Sequence, residues 1–188
     1  MGKETVNEPS LKPKDIKEKG LLIVYTGEGK GKTTAALGMV YRALGWGKKA
    51  AVIQFIKGKW KTGDRKFAST LPQLDFSTMG EGFTWESEDL AIDKKAAEAA
   101  WEKAKGFIQS GEYFLVVLDE LTYTVHHNFL PFPEILSTLQ NRPKDLTVVV
   151  TGRGAPPELI EMADLVTEMK KMKHPFDQGV PAKPGVDF

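Results

Sequence analysis

The segment YTGEGKGKTT, residues 25–34, combines alternating glycines with lysines and threonines. This combination is typical of a phosphate-binding loop, where backbone N–H groups close around phosphate oxygens and a lysine adds a full positive charge. Lys32 and Thr33 match the end of the pattern G-x-x-x-x-G-K-[ST], and the threonine hydroxyl is suited to contact Mg²⁺. The first glycine of the pattern is replaced by Thr26. The residues therefore predict a phosphate loop with an altered first position.

A second candidate group is the acidic pair in LVVLDE, residues 115–120. An apolar strand that ends in Asp119 and Glu120 would deliver two carboxylates to a metal ion, and carboxylates are ligands that Mg²⁺ prefers. An acidic pair after a strand is a weak signal by itself. Together with an upstream phosphate loop it predicts a metal site made by Thr33, Asp119 and Glu120.

Two further motifs leave alternatives open. TGRG, residues 151–154, sets Arg153 among glycines, either as a bidentate clamp on phosphate oxygens or as a solvated arginine in a surface turn. GEGFTWE, residues 80–86, places Phe83 and Trp85 in a polar loop. Such aromatic residues more often seal the edge of the core than form the wall of a large flat ligand site. His126, His127 and His174 lack metal-ligand spacing and are interpreted as structural or solvated.

The elements that must position these residues alternate between strands and helices. Apolar runs predict strands at residues 21–26, 50–55, 74–79, 113–120, 146–152 and 165–169. Helical patterns begin at Lys32, at Ser87 as an N-cap, near Pro133 and in PPELIEMA, and no helix is predicted in the polar segment 56–70. Strands that are apolar on both faces predict a parallel sheet with helices on both sides. Ligands of such sheets bind at the carboxyl ends of the strands, where the glycine loop, the carboxylate pair and TGRG should meet.

Composition limits the class of protein. The 188 residues suit one domain, with 26 basic and 25 acidic side chains and a net charge of +1, which gives no reason to expect a nucleic acid partner. Cysteine is absent, which excludes thiolate chemistry. Neither a secretory signal nor a membrane span is recognisable, so we expect a soluble cytoplasmic protein. We divide the chain into a charged arm at 1–20, either flexible or capping the site, an α/β domain at 21–170 and an irregular segment at 171–188.

Taken together, several motifs resemble the ATP:corrinoid adenosyltransferases of cobalamin biosynthesis. They are YTGEGKGKTTAALG, FIKGKW, GEGFTWE, LVVLDELTY, VVVTGRGAPPELIEMADLVTEM and KHPFDQGVPAKPGVDF. The similarity runs from about Leu21 to Phe188, and only the N-terminal arm lacks a clear match. The resemblance implies a single-domain α/β fold of the RecA-like P-loop class, with a mostly parallel sheet flanked by helices.

The resemblance also implies a reaction. The 5′-deoxyadenosyl group of ATP passes to the Co(I) of a corrinoid and tripolyphosphate leaves, with Mg²⁺, or Mn²⁺ in its place. ATP is bound along the loop in the reverse of the usual sense, which gives Thr26 a purpose. Implied partners are an electron donor such as a reduced flavoprotein and a second copy of the chain, as a homodimer.

The implied site residues fall into three sets. Lys32 and Arg153 are the expected catalytic residues. The expected nucleotide-binding set is Thr26, Gly27, Glu28, Gly29, Lys30, Gly31, Lys32, Thr33, Thr34 and Arg153. The expected corrinoid-binding set is Trp60, Gly82, Phe83 and Trp85, and the two loop aromatics would keep the lower face of the corrin dry and free of an axial ligand.

One residue departs from the family pattern. The position between Gly27 and Gly29 is often Asn in the family and is Glu28 here. A carboxylate beside a triphosphate would repel it unless it turned to a ribose hydroxyl or a cation, and of these we favour a ribose contact.

Two other functions stay open at this level. In an ordinary phosphate-loop ATPase or kinase, Glu120 would position the attacking water. A corrinoid carrier or sensor would bind the corrinoid without turnover. Neither the GEGFTWE loop nor the C-terminal motif is accounted for by an ATPase, so adenosyl transfer is favoured.

Overall fold

The fold is an α/β sandwich, and we describe it from a computed structural model in which residues 19–56, 62–78 and 90–188 are described. Six strands form one sheet in the order β3-β2-β4-β5-β1-β6, and every neighbouring pair is parallel. The strands are β1 (Leu22–Thr26), β2 (Ala50–Gln54), β3 (Leu74–Thr78), β4 (Leu115–Asp119), β5 (Thr147–Thr151) and β6 (Leu165–Glu168). The predicted fold class is confirmed.

Helices cover both faces of the sheet, as predicted. They are α1 (Lys32–Gly45), α2 (Gly63–Ala68), α3 (Leu90–Gln109), α4 (Leu121–His126), α5 (Phe132–Gln140) and α6 (Pro157–Met162), and a 3₁₀ turn follows at Pro175–Gln178. One core cluster packs α1 on the sheet, and a second cluster packs α3, α5 and α6 on the opposite face. None of the described helices is long and apolar enough to cross a bilayer.

Helix α3 shows how the pattern of apolar residues determines packing. Ala97, Trp101, Ala104 and Ile108 recur at three- and four-residue spacing and are all buried. The Trp101 indole N–H donates to Glu134 on α5 at 3.1 Å, so the largest ring of this core is also satisfied at its polar end. The predicted N-cap, Ser87, lies outside the described residues.

Three details differ from the sequence interpretation. The polar segment expected to be a loop contains the short helix α2, where Thr62 caps the helix by accepting from the Arg65 N–H. Helix α4 begins directly after the acidic pair, where no helix was predicted. Strand β6 is exposed at every residue, whereas we expected strands buried on both faces. As an edge strand, β6 has no neighbour on its outer side among the described residues.

Candidate functional site

The glycine loop connects the end of β1 to the start of α1, as the motif requires. Gly27 and Gly31 have φ angles of 96° and 118°, in the left-handed region that L side chains rarely adopt. These two turns curl the backbone back over the first turn of the helix. Gly31 is the N-cap of α1 and supplies no side-chain cap, and residues 31–34 at this end of the helix line a cavity that is described below. Such a terminus favours an anion.

The loop is held from behind by the chain that follows β6. The Gly29 N–H donates to the Met169 carbonyl at 2.6 Å. A Cβ atom placed on Gly29 would lie 2.6 Å from that same oxygen, which is closer than real Cβ contacts allow. The alternating glycines therefore permit a close approach between two backbones as well as a tight turn.

Lys32 lies beneath the loop with only 7% of its surface exposed. Its Nζ donates to the Gly27 carbonyl at 2.7 Å and to the Gly29 carbonyl at 2.9 Å. Burial lowers the pKa of this ammonium below the usual lysine value, and the opposing effect of the neighbouring Glu120 is smaller. A buried cation that now contacts two carbonyl oxygens is positioned to contact phosphate oxygens instead.

The carboxylate of Asp119, at the end of β4, accepts hydrogen bonds from residues on three other elements. It is 1% exposed and accepts from Thr33 Oγ1 at 2.8 Å, from Thr151 Oγ1 at 2.7 Å and from Gln54 Nε2 at 3.0 Å. The Thr33 contact joins the phosphate loop to the acidic strand. Gln54 and Thr151 were not predicted as site residues. Their signal is a polar side chain at the last position of a buried strand.

Glu120 follows Asp119 with a φ angle of 61°. This left-handed conformation is uncommon for a residue other than glycine and is typical of functional sites. The Glu120 N–H donates to Thr151 Oγ1 at 2.9 Å. Its side chain lines the space beside Thr33, so the two carboxylates have different roles in the packing: Asp119 is buried among protein donors, and Glu120 faces the cavities.

These oxygen donors suit Mg²⁺, although they do not form an all-protein cage. No group of three or more His, Cys, Asp or Glu side chains able to hold a metal was found among the described residues. Mg²⁺ is usually held by one or two carboxylates together with substrate phosphates and water. Thr33, Asp119 and Glu120 fit that mode of binding.

Thr26, at the end of β1, and Arg153, in the loop that follows β5, are connected through the hydrogen bonds of that loop. The Thr26 hydroxyl accepts from the Ala155 N–H at 3.1 Å, and Thr122 Oγ1 donates to the Arg153 carbonyl at 2.7 Å. The Arg153 side chain reaches Glu28 at 3.1 Å across the mouth of the site. The residue that departs from the usual phosphate-loop pattern, Thr26, thus ties the phosphate loop to the arginine loop.

Two cavities open on either side of Thr33 and Glu120. The first, of about 490 Å³, lies between the loop residues 30–34, α1 and the C-terminal residues Gly185–Phe188. Lys30 pairs there with Asp187. The second, of about 330 Å³, is lined by Thr33, Ile56, Asp119, Glu120, Thr122, Tyr123, His126 and Arg153. Tyr123 and His126 were not predicted at the site.

The structure therefore brings together, at the carboxyl edge of the sheet, the residues of the phosphate loop, the acidic pair that was predicted to bind metal, and the turn that carries Arg153. The predicted corrinoid residues Trp60, Gly82, Phe83 and Trp85 lie outside the described residues. His127 stacks on Phe129, with ring centroids 5.3 Å apart, and its ring also contacts that of Tyr123 at 4.1 Å, so it packs behind a residue of the second cavity without lining that cavity itself.

A comparison with protein families supports the interpretation of these motifs. The profile of the ATP:corrinoid adenosyltransferase BtuR/CobO/CobP family matches residues 18–188, which includes the loop, the acidic strand and the arginine turn. The chain belongs to this family. The resemblance predicted from the motifs is confirmed.

Curated members of the adenosyltransferase family are similar along nearly the whole chain. The corrinoid adenosyltransferase of Escherichia coli (strain K12) is 44% identical over 171 residues, covering 91% of this chain and 87% of that protein. That of Pseudomonas aeruginosa is 46% identical over 187 residues, covering 99% and 91%. Among solved structures, a RadB recombinase is 17% identical with a TM-score of 0.49, covering 84% of this chain and 77% of its own.

Proposed function

We propose that this protein transfers the 5′-deoxyadenosyl group of ATP to the Co(I) of a corrinoid and releases tripolyphosphate, in adenosylcobalamin biosynthesis or salvage. The observation that carries the proposal is the shared position of Thr33 and Glu120 between two cavities, directly beside the buried Lys32. The ATP:corrinoid adenosyltransferase family matches residues 18–188, and one cavity for the triphosphate and one for the adenosine of ATP is the simplest use of this arrangement.

The proposed reaction is an in-line displacement at the ribose C5′. The cobalt of the corrinoid supplies the electron pair for a new Co–C bond, and the C5′–O bond breaks with its pair going to the departing triphosphate. No protein acid or base is needed, because Co(I) is a strong nucleophile. The protein therefore contributes orientation and stabilisation of the leaving group.

Residues around the loop stabilise the leaving triphosphate in this proposal. Lys32 and Arg153 place positive charge beside it, and the amides at the start of α1 donate to its oxygens. Lys30 and Thr34 extend the same surface into the first cavity. Thr33, Asp119 and Glu120 hold Mg²⁺, which when bound neutralises charge on the phosphate oxygens.

The second cavity is suited to the adenosine half of ATP. Tyr123 offers an aromatic ring, Ile56 offers an apolar surface, and His126 and Thr122 offer polar atoms near the Arg153 loop. With the nucleoside there, the triphosphate would extend along the loop toward Lys30 and the first cavity. This direction is the reverse threading that the resemblance implies.

The corrinoid contacts are proposed from the resemblance alone. Phe83 and Trp85 would pack under the corrin and keep water and the axial base from the cobalt, with Gly82 and Trp60 beside them. We also propose that the protein works in the cytoplasm, that a reduced flavoprotein supplies the electron for Co(II), and that the chain forms a homodimer.

An anaerobic assay with chemically reduced cobalamin and MgATP tests the activity. We expect the Co(I) absorbance to fall as the Co–C bond forms, and ³¹P NMR to show intact tripolyphosphate. Lys32→Ala should lose about 100-fold or more in rate, because one positioned charge in a water-poor site is worth that much. Lys94→Ala, on the exposed face of α3, is the matched control. Orthophosphate from ATP without corrinoid would identify an ATPase, and corrinoid binding without turnover a carrier.

The aromatic residues are tested by changing the oxidation state of the substrate. Trp85→Ala and Phe83→Ala should slow the reaction when Co(II) must first be reduced, because a smaller side chain readmits a ligand to the lower face. The same variants should lose much less when Co(I) is supplied. Equal losses with both substrates would assign the two rings to binding or packing.

A further inference from the structure

The backbone of Glu120 has a strained conformation that helix capping does not explain. Glu120 has a φ of 61° and a ψ of 27°, in the left-handed region. It is also the N-cap of α4, where residues usually have extended backbone and cap the helix amides with a side chain, and Glu120 does neither. A left-handed residue other than glycine persists only where the surrounding structure compensates for the strain. We therefore looked for the group that holds this turn.

The turn determines where the Glu120 carboxylate lies. Along a continued strand, the side chains of residues 119 and 120 would point to opposite faces of the sheet. In the left-handed turn Glu120 instead lines both cavities together with Thr33, while Asp119 stays buried. The proposed metal site depends on this arrangement, because Thr33 and Glu120 must face the same space.

The hydroxyl of Thr151, at the end of β5, contacts the turn directly. Thr151 is fully buried, and its Oγ1 donates to Asp119 Oδ1 at 2.7 Å and accepts from the Glu120 N–H at 2.9 Å. A hydroxyl has one proton and two acceptor lone pairs. The proton is used by the carboxylate, which leaves the lone pairs for the Glu120 amide. The negative charge of Asp119 also polarises the hydroxyl and makes it a stronger acceptor.

We propose that Thr151 is a positioning residue of the metal site, and that its hydroxyl holds the left-handed turn that directs Glu120 toward the metal. Thr151 is not among the described residues that line the two cavities, so it acts through Glu120 and not by contact with a ligand. The inference rests on the metal site of the proposed function. It does not depend on which group the protein transfers.

A second contact joins the same two elements. Thr122, on α4, donates through Oγ1 to the Arg153 carbonyl at 2.7 Å, and a Cβ atom placed on Gly152 would lie 2.0 Å from that hydroxyl oxygen. The start of α4 is thus fixed to the chain at the end of β5 at both residue 120 and residue 122. Removal of the Thr151 hydroxyl takes away the first contact and keeps the second. We therefore expect α4 to stay in place while the Glu120 turn loosens.

Manganese binding tests this role, because Mn²⁺ is a substitute for Mg²⁺ that electron paramagnetic resonance detects. With ATP present and no corrinoid, Thr151→Val should raise the Kd for Mn²⁺ about tenfold, the size of effect that is usual for a residue that orients a metal ligand. Thr151→Ser keeps the hydroxyl and should stay near the wild-type value. Thr151→Ala removes the same hydroxyl without placing a methyl group against Asp119, so the result does not depend on how valine fits.

Thr147→Val is the matched control, at the other end of the same strand. Thr147 is also buried, and its Oγ1 accepts from the Leu21 N–H at 3.3 Å. This substitution should lower the midpoint of urea unfolding and leave the Kd for Mn²⁺ unchanged. If Thr151→Val and Thr151→Ala behave in the same way as the control, Thr151 contributes to stability alone and the proposal is overturned. A serine variant that binds Mn²⁺ as poorly as the valine variant would also contradict it.

The Glu120→Gln background shows whether Thr151 acts through Glu120. Glu120→Gln should itself weaken Mn²⁺ binding, and Thr151→Val should then weaken it little further, since no carboxylate remains to be oriented. A full effect of Thr151→Val in that background would overturn the inference and leave the metal site in place. If Glu120→Gln alone binds Mn²⁺ as the wild type does, the proposed metal site is wrong and the role of Thr151 falls with it.

Discussion

At the scale of single residues, Lys32 and Glu28 carry charges that the protein balances in different ways. Lys32 is buried and its ammonium donates to two loop carbonyls. Glu28 is about two-thirds exposed and pairs with Arg153 at the mouth of the site. A triphosphate changes the partners of both groups, and each change can be measured.

The lowered pKa of Lys32 predicts a pH dependence of ATP binding. Burial lowers the pKa of the Lys32 ammonium below the usual lysine value, and a bound triphosphate would favour the charged form. ATP binding should therefore take up a proton in the alkaline range, and affinity should fall as pH rises. Calorimetry in two buffers of different ionisation enthalpy measures the uptake. Lys32→Met should abolish it, and uptake that persists in this variant would assign it to another group.

Glu28→Gln removes the charge beside the phosphates and keeps the size of the side chain. Because the triphosphate and Glu28 compete for Arg153, we expect the KM for ATP to fall by about two- to fivefold, the range of one exposed ion pair. The Arg153→Ala background is the control, since the effect of Glu28→Gln through Arg153 should disappear there. A rise in KM would instead support the ribose contact expected from the sequence.

At the scale of elements, the site is assembled from the ends of strands that are distant in sequence. Asp119 on β4 receives hydrogen bonds from the ends of β2 and β5 and from the start of α1. The hydroxyl at the end of β1 holds the loop that follows β5. Breaking such a contact should therefore disturb two elements together.

Thr26→Val tests the link between β1 and the arginine loop. Valine keeps the shape but leaves the Ala155 N–H without its acceptor, which costs about 1–3 kcal/mol of unfolding free energy. The arginine loop should also loosen, with a higher KM for ATP. Thr26→Ser keeps the hydroxyl and should stay near wild type. Urea denaturation and initial rates measure both effects, and a Thr26→Val protein of normal stability and KM would contradict the link.

The two carboxylates at the end of β4 should behave differently. Asp119→Asn sets an amide against three donors in a buried position, so it should lower thermal stability and raise the Mg²⁺ concentration needed for activity. Glu120→Gln should raise only the Mg²⁺ requirement. Melting temperatures and Mg²⁺ titrations distinguish the two variants. Unchanged Mg²⁺ titrations in both would exclude this pair as the metal site.

At the scale of the whole molecule, the C-terminal segment returns to the phosphate loop. The sequence predicted an irregular segment here, either disordered or involved in binding, and the structure places Gly185–Phe188 along the first cavity. Asp187 pairs with Lys30, and this contact lowers the pKa of the carboxyl group below its usual value. One wall of the cavity therefore comes from the opposite end of the chain.

Asp187→Asn tests whether that wall supports nucleotide binding. Loss of the charge should weaken the hold on Lys30 and raise the KM for ATP a few-fold, about the value of an exposed ion pair, with kcat unchanged. Asp177→Asn is the matched control, since Asp177 pairs with Lys171 at 3.0 Å outside the cavity lining. Steady-state kinetics of the two variants test whether the Asp187–Lys30 contact supports ATP binding. Equal changes in KM would indicate that either substitution disturbs the C-terminal segment as a whole.

The sequence by itself determined the class of fold and which residues would meet at one edge of the sheet. The apolar strands and the glycine loop can be predicted locally, because adjacent residues determine each strand or turn. Parallel strands then bring their carboxyl ends to the same edge of the sheet. Lys32, Thr33, Asp119, Glu120 and Arg153 were predicted in this way to lie close together, and the structure places them around two neighbouring cavities. Family membership followed from the same contiguous motifs.

Only the tertiary structure decided the contacts between distant segments. The hydrogen bonds of Gln54 and Thr151 to Asp119, the closure of the first cavity by Gly185–Phe188 and the exposure of β6 depend on strand order and register. The residues next to a polar side chain at the end of a strand do not predict which distant group it will hydrogen-bond. The burial of a strand likewise depends on which strands lie beside it. The sequence predicted Leu165 and Val166 to be in the core, and in the fold they lie at the surface.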